Sequence, residues 1–189
     1  MVPFPLYKVW NMNTGECVRN LIGHLHTIVC LVHVRSRLNV IASGSYDKTI
    51  KVWNIQTGAC LQTLYGHSDW LRCLILIEKN ENKEYLLASG SNDCSVKLWS
   101  PINALSSSFL FKCTRTFRGH SGSIISLIFN PNTCQLISDS ADNRIKLWNL
   151  ETGDCLHTLE SHSYGVMSLI LNMNEIVTSS YDGNIKVNL

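Results

Sequence analysis

The chain has 189 residues, of which 45% are hydrophobic and 16% charged, a composition typical of a folded globular protein rather than a disordered one. Its formal net charge is +2 without a run of five like charges, so it offers no polybasic segment for nucleic acid or anionic lipid. No stretch reaches the roughly 18 consecutive apolar residues of a membrane-spanning helix, and residues 1–5 lack the pattern of a signal peptide. We therefore expect a cytoplasmic or nuclear protein with no membrane partner and no nucleic-acid partner.

A tryptophan motif recurs along the chain. Lys-Val-Trp-Asn at residues 8–11 returns at 51–54, and close variants stand at 97–100 and 146–149. Gly-His or Ser-His precedes each following unit, an aspartate stands six residues before the tryptophan position, and a hydroxyl residue stands four before the aspartate. Self-similarity with a period of about 40–50 residues is the signature of a repeat architecture, so each period is interpreted as one structural unit.

Each unit is predicted to contain four short strands. In the second unit these are residues 27–34, 40–45, 49–53 and 60–65. The first run is apolar and β-branched, which suits a strand covered on both faces, and the turn residues Tyr46-Asp47-Lys48 separate the second run from the third. A second turn signal, Gln56-Thr57-Gly58, precedes the fourth. The later units repeat this order, with inner apolar runs at 71–77, 124–129 and 166–171.

Units of this kind cannot be stable alone. A four-stranded antiparallel sheet with apolar residues on both faces must bury both, which the units achieve by packing face to face. The sequence therefore predicts an all-β fold, a β-propeller of about four blades, each a four-stranded antiparallel sheet. The predicted blades cover 24–66, 67–119 and 120–161, with a partial blade at 1–23 and an incomplete one at 162–189.

The repeated residues resemble those of the WD40-repeat family over essentially the whole chain. In that family His, Ser or Thr, Asp and Trp form a buried hydrogen-bonded tetrad, and the resemblance implies three complete sets here. They are His24-Ser43-Asp47-Trp53, His67-Ser89-Asp93-Trp99 and His120-Ser138-Asp142-Trp148. A fourth set has His162, Thr178 and Asp182, but Asn188 stands at the tryptophan position, so the last blade is expected to be the weakest.

The recurrence argues against catalysis and against a metal site. A hydrolase triad of Ser, His and Asp is needed once, whereas these residues return in every unit. The eight cysteines show no C-x-x-C spacing and the histidines outside the tetrads show no ligand spacing, so no metal and no cofactor are expected. Cys17, Cys60, Cys113 and Cys155 share one repeat position and are interpreted as buried thiols acting as small hydrophobic residues.

The resemblance implies a binding surface on one face of the propeller, here called the top face, where the links between blades and the turns carrying the tetrad aspartates lie. Three offsets per blade point to this face. They are Thr27, Val29 and Tyr46; Trp70, Arg72 and Asn92; Ser123, Ile125 and Ala141; Gly165, Met167 and Tyr181. Exposed Trp, Tyr and Arg are enriched at interface hot spots, which marks out a smaller set of candidate protein contacts. That set is Tyr46, Lys48, Trp70, Arg72, Asn92 and Tyr181. The alternative is that Trp70 and the tyrosines only pack on neighbouring loops.

The expected function is a non-catalytic scaffold or adaptor that holds other proteins. Arg72 and Lys48 resemble the basic positions with which F-box/WD-repeat ubiquitin-ligase receptors hold acidic or phosphorylated segments, so a substrate-recognition module of a ubiquitin ligase is one alternative. An RNA-associated assembly factor is another, and it would be expected to show a basic, aromatic face.

Two features interrupt the repeat. Polar insertions at 78–84 and 101–108 are expected to be solvated loop tips or a second contact surface. The predicted strands are also too few for a seven-bladed ring, and an open stack leaves apolar faces and sheet edges that invite association. Three arrangements stay open: a piece of a longer protein, a protomer that completes a ring by self-association, or a four-bladed ring closed by the terminal strands. The first two are favoured because the sequence begins and ends within a blade.

Overall fold

The computed structural model describes residues 6–34, 39–79, 84–102, 110–160, 162–172 and 175–188. Within these ranges it contains seventeen strands and no helix. The strands are β1 Leu6–Trp10, β2 Cys17–Ile22, β3 Ile28–Val34, β4 Val40–Ser45, β5 Ile50–Asn54, β6 Cys60–Leu64, β7 Leu71–Lys79, β8 Glu84–Ser91, β9 Val96–Pro101, β10 Phe111–Phe117, β11 Ile124–Asn130, β12 Gln135–Ser140, β13 Arg144–Asn149, β14 Cys155–Glu160, β15 Val166–Asn172, β16 Glu175–Ser180 and β17 Ile185–Asn188.

Consecutive strands form five antiparallel sheets. The first sheet is β1-β2, three four-stranded sheets follow as β3 to β6, β7 to β10 and β11 to β14, and the last sheet is β15-β16-β17. The sheets do not close into a ring, so the predicted all-β propeller with an incomplete ring is confirmed. The strand predicted at 49–53 begins one residue later, because the Thr49 N–H and hydroxyl both donate to Asp47 Oδ1, at 3.0 and 2.6 Å.

Each of the three four-stranded sheets has two different apolar faces, and each face packs on a neighbouring sheet. One face of each sheet, here called the following face, packs on the next sheet along the chain; Ile137 and Ile145 in the β11 to β14 sheet are buried there against Val166 and Leu169 of the last sheet. The other face, the preceding face, carries the tryptophan. The Trp148 ring centroid lies 5.6 Å from that of Phe117, on the outer strand of the sheet before it.

A glycine before the histidine of each complete tetrad permits this tryptophan packing. A Cβ added at Gly23 would lie 3.1 Å from the Trp53 ring, and one at Gly66 would lie 3.2 Å from the Trp99 ring. In the last blade, where Asn188 takes the tryptophan position, the residue before the histidine is Ser161 in the sequence. The Gly-His pair and the tryptophan are therefore one packing unit.

The interpretation of the recurring cysteines as buried is wrong. Cys17, Cys60, Cys113 and Cys155 are all exposed. They lie at or near the start of the outermost strand of the first four sheets, which has a neighbouring strand on one side only. The Cys60 Sγ lies 3.5 Å from its nearest acceptor, the Gln62 carbonyl two residues along the same strand.

Two partly buried thiols, Cys30 and Cys73, lie instead on the inner strands β3 and β7. A Cβ added at Gly44 would come within 2.5 Å of the Cys30 Sγ, and one at Gly90 within 2.6 Å of the Cys73 Sγ. Burial raises the pKa of Cys30 to about 12 and that of Cys73 well above its ordinary value, so both stay protonated.

The third four-stranded sheet lacks this pair of cysteine and glycine, and Asp139 is one of the two residues that differ. It occupies the glycine position of the third four-stranded sheet, opposite Ser126, and its Oδ1 accepts a hydrogen bond from the Ser126 N–H at 2.6 Å. Its Oδ2 is buried and has no hydrogen-bond partner among the described residues. Burial raises the pKa of Asp139 to about 7.

The two insertions lie mostly outside the described residues. The first lengthens the β7 to β8 hairpin, since β7 continues to Lys79 and β8 resumes at Glu84. Beside the second, the Ile102 N–H donates to the Leu110 carbonyl at 2.7 Å. The expectation that the insertions at 78–84 and 101–108 form solvated loop tips or a second contact surface therefore stays a prediction.

We expect Asp139→Ser to raise the free energy of unfolding at pH 8 and to change it little at pH 4. The folded pKa of about 7 lies above the ordinary 3.8, so the folded state binds the proton more tightly and loses stability as pH rises between these values. Serine fits, because Ser179 occupies the same position in the last sheet. Urea unfolding at both pH values measures this, with the exposed Asp154→Ser as control. A variant less stable than the natural chain at pH 8 would contradict the account.

Candidate functional site

The structure brings the members of each tetrad together within one sheet. His67 Nδ1 lies 2.8 Å from Asp93 Oδ2, His67 Nε2 lies 2.8 Å from Ser89 Oγ, and the Trp99 indole N–H donates to the same Ser89 oxygen at 2.9 Å. The matching distances in the sets of His24 and His120 are 2.7 and 2.8 Å. In the last sheet His162 lies 2.9 Å from Asp182 and 2.8 Å from Thr178.

Each tetrad aspartate also closes the turn in which it stands. Asp93 Oδ2 accepts the Ser68 N–H at 3.0 Å, and its Oδ1 accepts the Ser95 N–H at 3.0 Å and the Ser95 hydroxyl at 2.6 Å. Burial alone would raise the pKa of Asp93, but the hydrogen bonds from His67 and Ser95 outweigh it and the pKa is lowered. The pKa of Asp47, Asp142 and Asp182 is lowered by the same balance of burial against hydrogen bonds.

Two tetrad histidines, His24 and His120, have a lowered pKa and are neutral at pH 7. Burial lowers the pKa of His24 and His120, although their aspartates oppose the shift. A neutral ring that donates from Nδ1 to the carboxylate leaves Nε2 to accept the serine hydroxyl proton, and the serine oxygen then accepts the indole N–H. Every polar group in a complete tetrad is thereby paired.

The same turns are bonded to the links between sheets, which fixes the top face. The residue before each tetrad aspartate donates its N–H to the carbonyl three residues after the tetrad histidine, at 2.8 to 3.2 Å. The pairs are Tyr46 to Thr27, Asn92 to Trp70, Ala141 to Ser123, and Tyr181 to Gly165. All of these residues are top-face positions predicted from the repeat. The backbone bonds therefore fix their positions relative to the tetrad aspartates.

A cluster of aromatic rings and one guanidinium lies between the first two four-stranded sheets on this face. The Tyr46 and Trp70 rings stack with centroids 4.4 Å apart and planes at 14°. The Arg72 Nε donates to Asn92 Oδ1 at 2.7 Å and its Nη1 donates to the Tyr46 hydroxyl at 3.1 Å. The guanidinium carbon lies 5.4 Å from the Tyr46 ring centroid and 5.9 Å from that of Trp70, within cation–π range.

His26 completes this cluster, and sequence reasoning missed it. Its ring centroid lies 5.7 Å from that of Tyr46 and 6.0 Å from that of Trp70. The sequence analysis considers His26 only among the histidines outside the tetrads, which show no metal-ligand spacing. Its position directly before Thr27, a predicted top-face residue, is the sequence feature that indicates a place on the top face.

An open groove of about 390 Å³ continues from Arg72 across the next two sheets. Its lining consists of Arg72, Ser123, Ile125, Ala141, Gly165, Val166, Met167 and Tyr181. Apart from Val166, each of these was named from the repeat offsets. Lys48 lies exposed in its turn, and neither Lys48 nor Val29 belongs to the groove lining or the ring cluster.

Over the described ranges, no group of three or more His, Cys, Asp or Glu side chains could hold a metal ion. No helix with the length and apolar character of a membrane span is found in the same part of the chain.

We expect Ser89→Ala to lower the free energy of unfolding by about 2–4 kcal/mol, because it orphans both the Trp99 indole N–H and His67 Nε2. Thr178→Val, which also removes only a hydroxyl function, should cost about 1 kcal/mol, since no tryptophan depends on it. Urea unfolding of the two variants measures the difference. Equal losses would mean that the indole bond contributes nothing.

Comparison with known proteins places these features in a family. The model of the family described as WD domain, G-beta repeat matches residues 15–54, 58–100, 111–149 and 153–187. Protein tipD of Dictyostelium discoideum is 37% identical over 103 residues, which are 54% of this chain and 16% of that protein. Human pre-mRNA-processing factor 17 is 39% identical over 72 residues, 38% of this chain and 11% of that protein. The matched region thus spans less than a fifth of either relative.

Two solved structures show the same arrangement of sheets. The computationally designed Ika8 protein superposes with a TM-score of 0.76 at 32% identity, covering 95% of this chain and 51% of the Ika8 chain. The WD40 β-propeller domain of Doa1 superposes with a TM-score of 0.77 at 24% identity, covering 96% of this chain and 56% of that one. With four repeat matches along its length and this fold, the chain belongs to the WD40-repeat family.

Proposed function

We propose that the chain is a non-catalytic scaffold whose top face docks a peptide segment of another protein, with an acidic side chain on Arg72 and an apolar side chain in the adjoining groove. The observation that carries the proposal is the Arg72 guanidinium, which lies beside a groove lined by both polar and apolar groups and has no carboxylate in an ion pair with it among the described residues. WD40 proteins generally bind other proteins, and the family is generally non-catalytic.

Arg72 is already oriented for an incoming anion. Its bonds to Asn92 and Tyr46 and its place against two stacked rings restrict a side chain that otherwise loses much entropy on binding. Among the described residues Arg72 Nη2 has no hydrogen-bond partner, so it can donate to a ligand. Guanidinium and carboxylate form strong charge-assisted hydrogen bonds, and the neighbouring rings reduce competition from water.

The groove beside Arg72 suits an apolar side chain. Ile125, Ala141 and Met167 contribute apolar groups to its lining, and the methionine side chain is flexible and polarisable, so it adapts to ligands of different shapes. Tyr181, which is largely exposed at the far rim, supplies a ring and a hydroxyl. A few anchors in a pocket with a polar rim are typical of a peptide-binding hot spot.

The alternatives have less support from the described residues. Lys48 adds no contact to the cluster, so Arg72 is its single cation, whereas receptors for phosphorylated segments usually use several basic groups. An RNA-associated role has one supporting observation, the Tyr46 and Trp70 stack, because exposed rings can also stack on bases.

The proposed location is the cytoplasm or the nucleus.

The proposal is tested by selecting a phage-displayed library of random dodecapeptides against the immobilised chain. Enriched peptides should carry Asp or Glu at a fixed short spacing from Leu, Ile, Met or Phe. Arg72→Gln should weaken a selected peptide about tenfold or more in fluorescence polarisation, because it removes a charged hydrogen bond.

The matched control is Arg19→Gln, which removes an exposed arginine from β2. Peptides without an acidic residue, or peptides that bind Arg72→Gln as well as the natural chain, would overturn the proposal. Nuclease-sensitive RNA binding that is lost in Trp70→Ala would favour the RNA role instead.

A further inference from the structure

Two repeat offsets determine what lies at the top of each junction between neighbouring sheets. One is the residue before a tetrad aspartate, and the other is the residue three after the tetrad histidine of the next sheet. Between the first two four-stranded sheets these residues are Tyr46 and Trp70, whose rings stack with centroids 4.4 Å apart. The chain's own rings therefore occupy the top of this junction.

The next two junctions carry small residues at the same offsets. The first pair is Asn92 and Ser123, and the second pair is Ala141 and Gly165. A Cβ added at Gly165 would lie 3.5 Å from the Ala141 Cα, so these two positions face each other across their junction. The groove of about 390 Å³ is lined by Ser123, Ala141 and Gly165, and it lies where the stacked ring pair has no equivalent.

The walls of the two kinds of junction also correspond. The Arg72 guanidinium carbon, five residues after its tetrad histidine, lies 5.4 Å from the Tyr46 ring centroid. In the last sheet the same offset is Met167, which is 40% exposed and lines the groove. A thioether makes favourable contacts with aromatic rings. Met167 is therefore placed to contact a ring in the groove as Arg72 contacts the ring of Tyr46.

The charge of the groove restricts its occupant. Arg72 is the one charged side chain among the lining residues, and no carboxylate of the described residues forms an ion pair with it. The nearby tetrad carboxylates of Asp142 and Asp182 are held by their histidines at 2.8 and 2.9 Å. An occupant with one acidic group beside an uncharged part complements this surface, whereas a nucleic acid strand would need several cations for its phosphates.

We propose that the groove binds an aromatic side chain of the docked segment, whose ring takes the place that Tyr46 and Trp70 fill at the first of these junctions. The inference rests on the proposed function and narrows its partner to a peptide with an aromatic residue a short distance from an acidic one. Aromatic side chains bury a large apolar area, and a ring is the group that the same repeat offsets enclose elsewhere in the chain.

Gly165→Trp tests the inference by filling the groove from within the chain. The φ of Gly165 lies outside the left-handed region and an added Cβ meets only ordinary van der Waals contacts, so a side chain fits there. Dodecapeptides enriched from the phage library on the natural chain should bind this variant about tenfold or more weakly in fluorescence polarisation. Ala141→Tyr should act in the same way, since its position is exposed and Tyr46 occupies the equivalent place.

Thr27→Trp is the matched control. It adds the same ring at the same offset in the first four-stranded sheet, at an exposed position outside the groove lining, and should leave the dissociation constant unchanged. Circular dichroism verifies that each variant is folded. Within the peptide, replacement of the aromatic residue by leucine should weaken binding about fivefold.

The methionine methyl signals provide a readout that does not depend on affinity. The chain has four methionines, so ¹³C-methyl labelling gives a simple spectrum. A bound ring should move the Met167 methyl signal upfield through its ring current, while the signal of Met12, which is 99% exposed, keeps its position. The leucine-substituted peptide should not produce the upfield shift.

The outcomes separate this inference from the proposed function. Peptides that depend on Arg72 but carry only aliphatic anchors would overturn the inference and leave the proposed function standing. Aromatic peptides that lose affinity for Gly165→Trp but ignore Arg72→Gln would support the ring site and overturn the role of Arg72. A library that yields no enriched peptide, or peptides that bind both filled variants as well as the natural chain, would overturn the inference.

Discussion

A buried line of four polar groups, repeated in each sheet, is the constraint on which the rest of this molecule depends. The aspartate closes a turn. The histidine, which lies in the link that enters the sheet, bonds to both the aspartate and the serine. The serine oxygen also accepts the indole N–H of a tryptophan that packs on the preceding sheet. Leaving one such group unpaired in the interior costs about 1–3 kcal/mol, so loss of one hydrogen bond weakens the whole tetrad. Turn, link and packing face are thus fixed relative to one another.

That rigidity lets the top face vary without loss of the frame. The residue before the tetrad aspartate is Tyr46, Asn92, Ala141 or Tyr181 in successive sheets, yet its N–H makes the same backbone bond each time. The variation places two stacked rings and the Arg72 guanidinium at one part of this face, and a groove that begins at Arg72 and includes Ile125 and Met167 beside them. A constant scaffold with a variable rim is well suited to holding another protein in a defined orientation.

Most of the fold could be predicted because the sequence contains the same local pattern several times, and the pattern itself sets strand order and the residues that share a turn. Features that depend on neighbours in space were harder. The burial of Cys60 was mispredicted because a repeat position does not reveal which strand is outermost. His26 joins its cluster only through Trp70 of the next sheet. The groove spans three sheets, so no single repeat contains it.

The most direct measurement is hydrogen exchange of the tryptophan indole protons followed by nuclear magnetic resonance. Trp53, Trp99 and Trp148 donate to serine oxygens from buried positions, so their indole protons should exchange slowly, with protection close to that of the whole domain. The Trp70 indole, in an exposed ring stack, should exchange rapidly. Rapid exchange at Trp99, or equal rates at all four positions, would contradict the account of sheets held internally by polar tetrads.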